Sequence, residues 1–84
     1  MKDYKLEVHI TPREGLLDPE GKAVEHALQA LAFEGVSSVR VGRLVTLNVS
    51  AASDAAARAR AEEMCRKLLA NPVTEDFSIA LAEA

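Results

Sequence analysis

The apolar residues of this 84-residue chain change their period four times, and that rhythm leaves few folds open. Tyr4, Leu6, Val8 and Ile10 alternate with Lys5, Glu7 and His9, so residues 4–10 read as a half-buried strand. Thr11 and Pro12 end it. The period then becomes helical: Val24, Ala27, Leu28 and Leu31 share one stripe, and Lys22, Glu25, His26 and Gln29 lie opposite. Gly35 supplies the stop, and Phe33, off the stripe, falls in the last frayed turn and folds back.

The next stretch, GVSSVRVGRLVTLNVS, is rich in β-branched residues and returns to period 2. Val39, Val41, Val45, Leu47 and Val49 share one parity. A two-residue hairpin at Gly42-Arg43 would put Val39 and Val41 on the face opposite Val45 and Leu47. One long strand bent at Gly42, or a bulged turn, keeps the pattern whole. Residues 53–70 predict a second helix with Ala57, Ala61, Met64, Cys65 and Leu68 on its apolar stripe. Glu62–Arg66 and Glu63–Lys67 support it as i, i+4 pairs, and Ser53 or Asp54 caps it. Asn71, as a left-handed cap, and Pro72 close it. VTEDFSIAL alternates through Phe77, Ile79 and Leu81 and makes the last strand.

The order β-α-β(β)-α-β predicts a single α+β domain over residues 1–84. Its expected form is a small two-layer sandwich, a ferredoxin-like antiparallel sheet with two helices on one face. The other sheet face then carries Lys5, Glu7, His9, Arg40, Ser78 and Ala80, which is polar and small.

The start of the first helix poses a question of its own. Asp18 suits the N-cap, where its carboxylate accepts from orphan amides, and Pro19 loses nothing at the first helical position. Gly21 is not explained this way, because glycine there costs ~1 kcal/mol against alanine. Either another backbone packs close to it or the site merely tolerates it.

Size and charge narrow the functions. A chain this short buries only ~60–65% of its unfolded surface, so a second copy or a larger partner is a ready way to complete the core. The net charge is −3, no basic block appears, and Tyr4, Phe33 and Phe77 are the only aromatics. Nucleic-acid binding, including an RNA-binding sheet, lacks its positive footprint and its stacking platform. The single cysteine, Cys65, fits a reducing compartment. MKDYKLEVHI is neither a signal peptide nor a membrane span, so the expectation is a cytoplasmic protein.

No catalytic set emerges. Cys65 lies on a buried stripe, and nothing in the spacing brings His9 or His26 to it as a base. Neither histidine has ligand-spaced neighbours for a metal. Glu75 and Asp76 point to opposite faces of a strand and read as solvated edge charges. The four glycines make no phosphate loop. Arg40 and Arg43, flanking Gly42, suit an anionic ligand or a partner's carboxylates, or are ordinary solvated charges.

Three segments taken together, LLDPEGKAVEHALQAL, VSSVRVGRLVTL and LLANPVTEDF, closely resemble the PurS family over essentially the whole chain. That family is the small subunit of phosphoribosylformylglycinamidine (FGAM) synthase in de novo purine synthesis. Ala32 departs from a glycine expected before the aromatic, Arg43 from a common lysine, and Thr74 from a common aliphatic. The resemblance implies a non-catalytic subunit that bridges a large PurL-type synthetase and a PurQ-type glutaminase. Ammonia from glutamine then converts formylglycinamide ribonucleotide to the amidine. ATP and Mg²⁺ are used by the synthetase, and this chain binds no cofactor or metal of its own. It further implies a homodimer or higher homo-oligomer. Asp18, Pro19, Gly21, Arg40, Gly42, Arg43, Asn71 and Pro72 carry over as fold and docking residues. Asp18, Gly21, Arg40, Gly42 and Arg43 are the interface candidates, with Gly21 expected at a dimer or partner contact. The rival reading is a stand-alone ACT-like module that binds an amino acid at a dimer interface.

Overall fold

The fold, taken from a computed structural model, is described for residues 1–82. Strand β1 (Lys2–Pro12) leads to helix α1 (Pro19–Ala30), β2 (Arg43–Ala51), α2 (Asp54–Met64) and β3 (Glu75–Leu81). The strands form one antiparallel sheet in the order β2-β1-β3. The α+β class and the β-α-β-α-β order are those expected. Among the described residues no fourth strand forms.

The alternation in β1 does what its period requires. Leu6, Val8 and Ile10 are fully buried at the centre of the sheet. The register sets Leu6 beside Leu47 and Val8 between Val45 and Ile79. Each such side chain contributes about 1.5–3 kcal/mol on burial. Helix α2 lies across this face through Ala57, Ala61 and Cys65, all fully buried. Small residues at every fourth position let the helix approach the sheet closely. Asp54–Arg58, Glu62–Arg66 and Glu63–Lys67 brace its outer side.

The apolar stripe of α2 changes course at its end. Cys65–Leu69 is a π-helical turn, closed by Ala70 N–H donating to Cys65 O at 3.0 Å. The extra residue per turn rotates the face by about one position. Leu69 and Ala70 therefore pack inward, and Leu68, expected on the stripe, is 84% exposed. Asn71 is not a left-handed cap either. The chain leaves the helix extended at Ala70, and Asn71 Oδ1 accepts from Val73 N–H at 2.9 Å in an Asx turn.

Helix α1 ends in a Schellman motif. Phe33 N–H donates to Leu28 O and Ala32 N–H to Gln29 O, at 3.1 and 3.0 Å. The left-handed residue is Ala32 (φ 70°), not Gly35, which sits in the turn beyond it. An alanine in this region costs about 1 kcal/mol relative to glycine. Ala32→Gly is therefore expected to raise stability by ~1 kcal/mol. Chemical denaturation with an unchanged m-value checks it.

Of the two helices only α2 packs on the sheet of its own chain. Helix α1 projects away, and the molecule measures 51 × 30 × 14 Å. What holds α1 in that position is the irregular segment 36–42.

Candidate functional site

Asp18, Gly21, Glu25 and Gln29 stand at intervals of three, four and four residues, so they line one side of α1. Segment 36–42 runs along that side. Asp18 caps the helix with Oδ1, which accepts from Gly21 N–H at 3.0 Å. Its Oδ2 accepts from Val41 N–H at 3.1 Å. About two turns further on, Glu25 Oε1 accepts from Val39 N–H at 3.1 Å. Gln29 Nε2 donates to Val36 O at 3.3 Å. Helix side chains thus take the place of a neighbouring strand, satisfying alternate amides of an extended segment.

This arrangement resolves the parity conflict at Gly42. Val39 and Val41 share the parity of Val45 and Leu47, yet they belong to neither a hairpin nor a continuous strand. Their amides face α1, and the positive φ of Ser38 (55°) ends any strand geometry there. Sheet pairing begins only at Arg43.

Two glycines permit the contact. A methyl group at Gly21 would lie 2.6 Å from Val39 O and collide with the Asp18 carboxylate. Gly21 thus answers its own question: a backbone does pack close, and it is the Val39 backbone of the same chain. At Gly42 a methyl group would run into Ile10 O and lie 3.2 Å from Thr11 Cγ2. No side chain fits at either position without moving backbone.

Both arginines brace this region. Arg40 Nη2 donates to Arg13 O at 2.7 Å and to Pro12 O, gripping the end of β1. Arg43 Nη2 donates to Leu69 O and to Glu75 Oε1, each at 2.9 Å. Glu75 Oε1 also accepts from Asn71 N–H at 2.8 Å. Arg43 and Glu75 therefore tie the start of β2 to the end of the second helical region and the start of β3. Beside them Arg13 pairs with Asp76 at 3.3 Å and donates to Pro72 O at 2.7 Å.

Asp18, Gly21, Arg40 and Gly42 come together as one latch, and Arg43 belongs to a second cluster with Glu75. Sequence reasoning missed two members. Glu25, expected on the solvated face, is only 9% exposed, and Glu75, expected as a free edge charge, is the hub of its cluster. The signal for Glu25 lay in its spacing, since Asp18, Gly21, Glu25 and Gln29 form a polar stripe with a glycine inside it.

The electrostatics follow from the hydrogen bonds. The amides of Gly21 and then Val41 hold the Asp18 carboxyl below its usual 3.8, with help from the Arg40 charge. Asn71 N–H, then Arg43, lowers Glu75 below 4.5. A carboxyl lowered on folding stabilises the folded state above its unfolded pKa and loses that contribution as pH falls through the folded value. The melting temperature is therefore expected to hold from neutral pH down to about 5 and to fall increasingly below the two ordinary values. Asp18→Asn and Glu75→Gln should each flatten part of that decline in melts taken between neutrality and acid.

These groups are poor candidates for reaction chemistry. Both oxygens of Asp18 are engaged, and the arginines bond to carbonyls and Glu75. Burial, with Glu62 adding to it, pushes the Cys65 thiol up, so it stays protonated and buried. Among the described residues no group of three or more His, Cys, Asp or Glu side chains is placed to hold a metal ion.

Comparison with known proteins agrees over the full length of the chain. The family described as PurS: Phosphoribosylformylglycinamidine (FGAM) synthase matches residues 5–83. The phosphoribosylformylglycinamidine synthase subunit PurS of Bacillus subtilis is 40% identical, covering 95% of this chain and 94% of the relative. That of Methanocaldococcus jannaschii is 37% identical over 90% and 92%. Among solved structures, Thermus thermophilus PurS superposes with a TM-score of 0.83 at 37% identity, covering 99% of each chain. A chain of PurLQS from Thermotoga maritima superposes at 0.90 with 27% identity, covering 98% of this chain and all of that one.

Proposed function

Because this chain belongs to the PurS family, we propose that it works as the small, non-catalytic subunit of FGAM synthase in de novo purine biosynthesis. In this reading it bridges a large ATP-dependent synthetase subunit and a glutaminase subunit. Ammonia released from glutamine is then used to convert formylglycinamide ribonucleotide to formylglycinamidine ribonucleotide. ATP and Mg²⁺ belong to the synthetase, and this chain contributes surfaces rather than reacting groups. It acts as a homo-oligomer in the cytoplasm. Among the described residues no helix is long and apolar enough to cross a membrane.

The observation that carries the reading is end-to-end similarity, in sequence and fold, to PurS chains that include one within a PurLQS structure. The latch fits it. Asp18, Gly21 and Gly42 fix the pose of α1 and segment 36–42, while the exposed Arg40 and Arg43 remain at the surface where a partner is met. Among the described residues nothing favours the amino-acid-binding alternative. Mixing this chain with the large and glutaminase subunits should give one co-eluting species by size exclusion with light scattering. Separate elution at micromolar concentrations, with substrates present, would refute the bridge.

A further inference from the structure

The chain divides into two bodies that share almost no interior. The apolar core draws on β1, β2, β3, and α2 with its π turn through Ala70. Among the described residues none of its members lies between residues 13 and 42. In α1 the buried positions are Gly21 and Glu25, neither of them apolar side chains. Residues 14–41 instead hold a shape of their own, because Asp18, Glu25 and Gln29 fasten segment 36–42 along α1. A helix of 12 residues is marginal by itself, and the segment has no strand beside it, so each gives the other its order.

The chain crosses between these bodies twice. At the first crossing Gly15 takes a φ of 81°, and a side chain there would meet nothing within 4 Å. At the second, Gly42 rests against Ile10 O, just before sheet pairing begins at Arg43. The side-chain fastening is thinner still. Among the described residues only Arg40 bonds from one body to the other, its Nη2 donating to Arg13 O at 2.7 Å and to Pro12 O. Arg43, by contrast, holds Leu69 and Glu75, both on the sheet side. A cleft of about 340 Å³, lined by Thr11, Pro12, Glu14, Arg40 and Asp76, opens at the junction.

We propose that residues 14–41 swing on the sheet as one rigid arm, with Gly15 and Gly42 as hinges and Arg40 as the catch. A hinge needs a few residues that absorb a change in φ and ψ between bodies that keep their own shape, and glycine does so at the lowest steric cost. The catch is a single guanidinium on two neutral carbonyls. Arginine grips such acceptors less firmly than the carboxylates it binds in a charged fork. It therefore opens without disturbing either body. The angle between α1 and the sheet changes while both keep their internal hydrogen bonds.

Movement of this kind lies outside the proposed function, and this chain alone suffices to test it. Nitroxide labels at His26→Cys on α1 and Ser78→Cys on β3, both exposed positions, report the distance from arm to sheet by double electron–electron resonance. Cys65 is buried and stays unlabelled. Dilution of the doubly labelled chain in unlabelled protein keeps the reading within one chain. With Arg40 in place a single narrow distribution is expected. Arg40→Ala should make it roughly twice as broad or split it in two. The circular dichroism spectrum and the hydrogen-exchange protection of the Val39 and Val41 amides should stay as in the parent. Arg40→Lys, whose ammonium still donates to a carbonyl, should recover most of the narrow distribution. Glu25→Ala is the contrasting case, because it unfastens the segment from α1 and should strip protection from Val39. An unchanged distribution in Arg40→Ala would overturn the proposal. So would broadening that comes with lost protection at Val39 and Val41, since the arm then frays rather than swings.

Discussion

Replacing Gly21 by alanine should destabilise this protein by about 2–3 kcal/mol, although the same change inside an ordinary helix is stabilising. The usual gain, about 1 kcal/mol, comes from helix propensity and lost chain entropy in the unfolded state. Here the added methyl group meets Val39 O at 2.6 Å and the Asp18 carboxylate. To admit it, segment 36–42 must lift from α1, and the bonds from Val39 to Glu25 and from Val41 to Asp18 go with it. Glu25 would then lose both its amide partner and the segment that shields it, keeping only its contact with Lys22. For a domain of this size the loss corresponds to roughly 10–20 °C in melting temperature. Differential scanning calorimetry of Gly21→Ala reads it directly, and a rise in melting temperature would show that the segment is not held as described. Gly42→Ala strains the other end of the same segment, against Ile10 O. The two changes should therefore sum to less than their separate effects, because either one already frees the strap.

The contrast between Gly21 and Ala32 shows what a sequence of this kind discloses. Apolar periodicity reports which side chains avoid water, and it located β1, β3 and most of both helices. It says little about where backbone hydrogen bonds go. Val39 and Val41 look like strand residues because they are extended and β-branched, yet their amides bond to Asp18 and Glu25 rather than to a strand. The π turn at Cys65–Leu69 was equally hidden. It depends on how α2 seats against the sheet, and the sequence pattern on either side of it fits an uninterrupted helix. At the end of α1, Gly35 drew the reading because glycine suits positive φ, while Ala32 takes that conformation at a cost. The latch itself was half legible. Asp18 followed from capping chemistry, Gly21 posed the question, and Glu25 was hidden among residues that usually face solvent.

The largest functional effect expected of this chain is on the source of nitrogen. A subunit that contributes surfaces rather than reacting groups, as proposed above, would influence FGAM formation through what it holds together. Glutamine-driven turnover needs the glutaminase and synthetase joined, whereas ammonium in solution reaches the synthetase unaided. Removing the chain should therefore abolish the first rate and leave the second. Arg40 and Arg43 make a finer version of the same test. Alanine at either removes a brace along with the surface charge, so Lys, which keeps the charge but not the forked geometry, is the informative replacement.

The most direct measurement is FGAM synthesis by the large and glutaminase subunits, with and without this chain, supplied with glutamine or with ammonium. The account predicts that the chain is required with glutamine and dispensable with ammonium. Equal rates with and without it under both conditions, or an equal requirement for it with ammonium, would contradict its role as the coupling subunit.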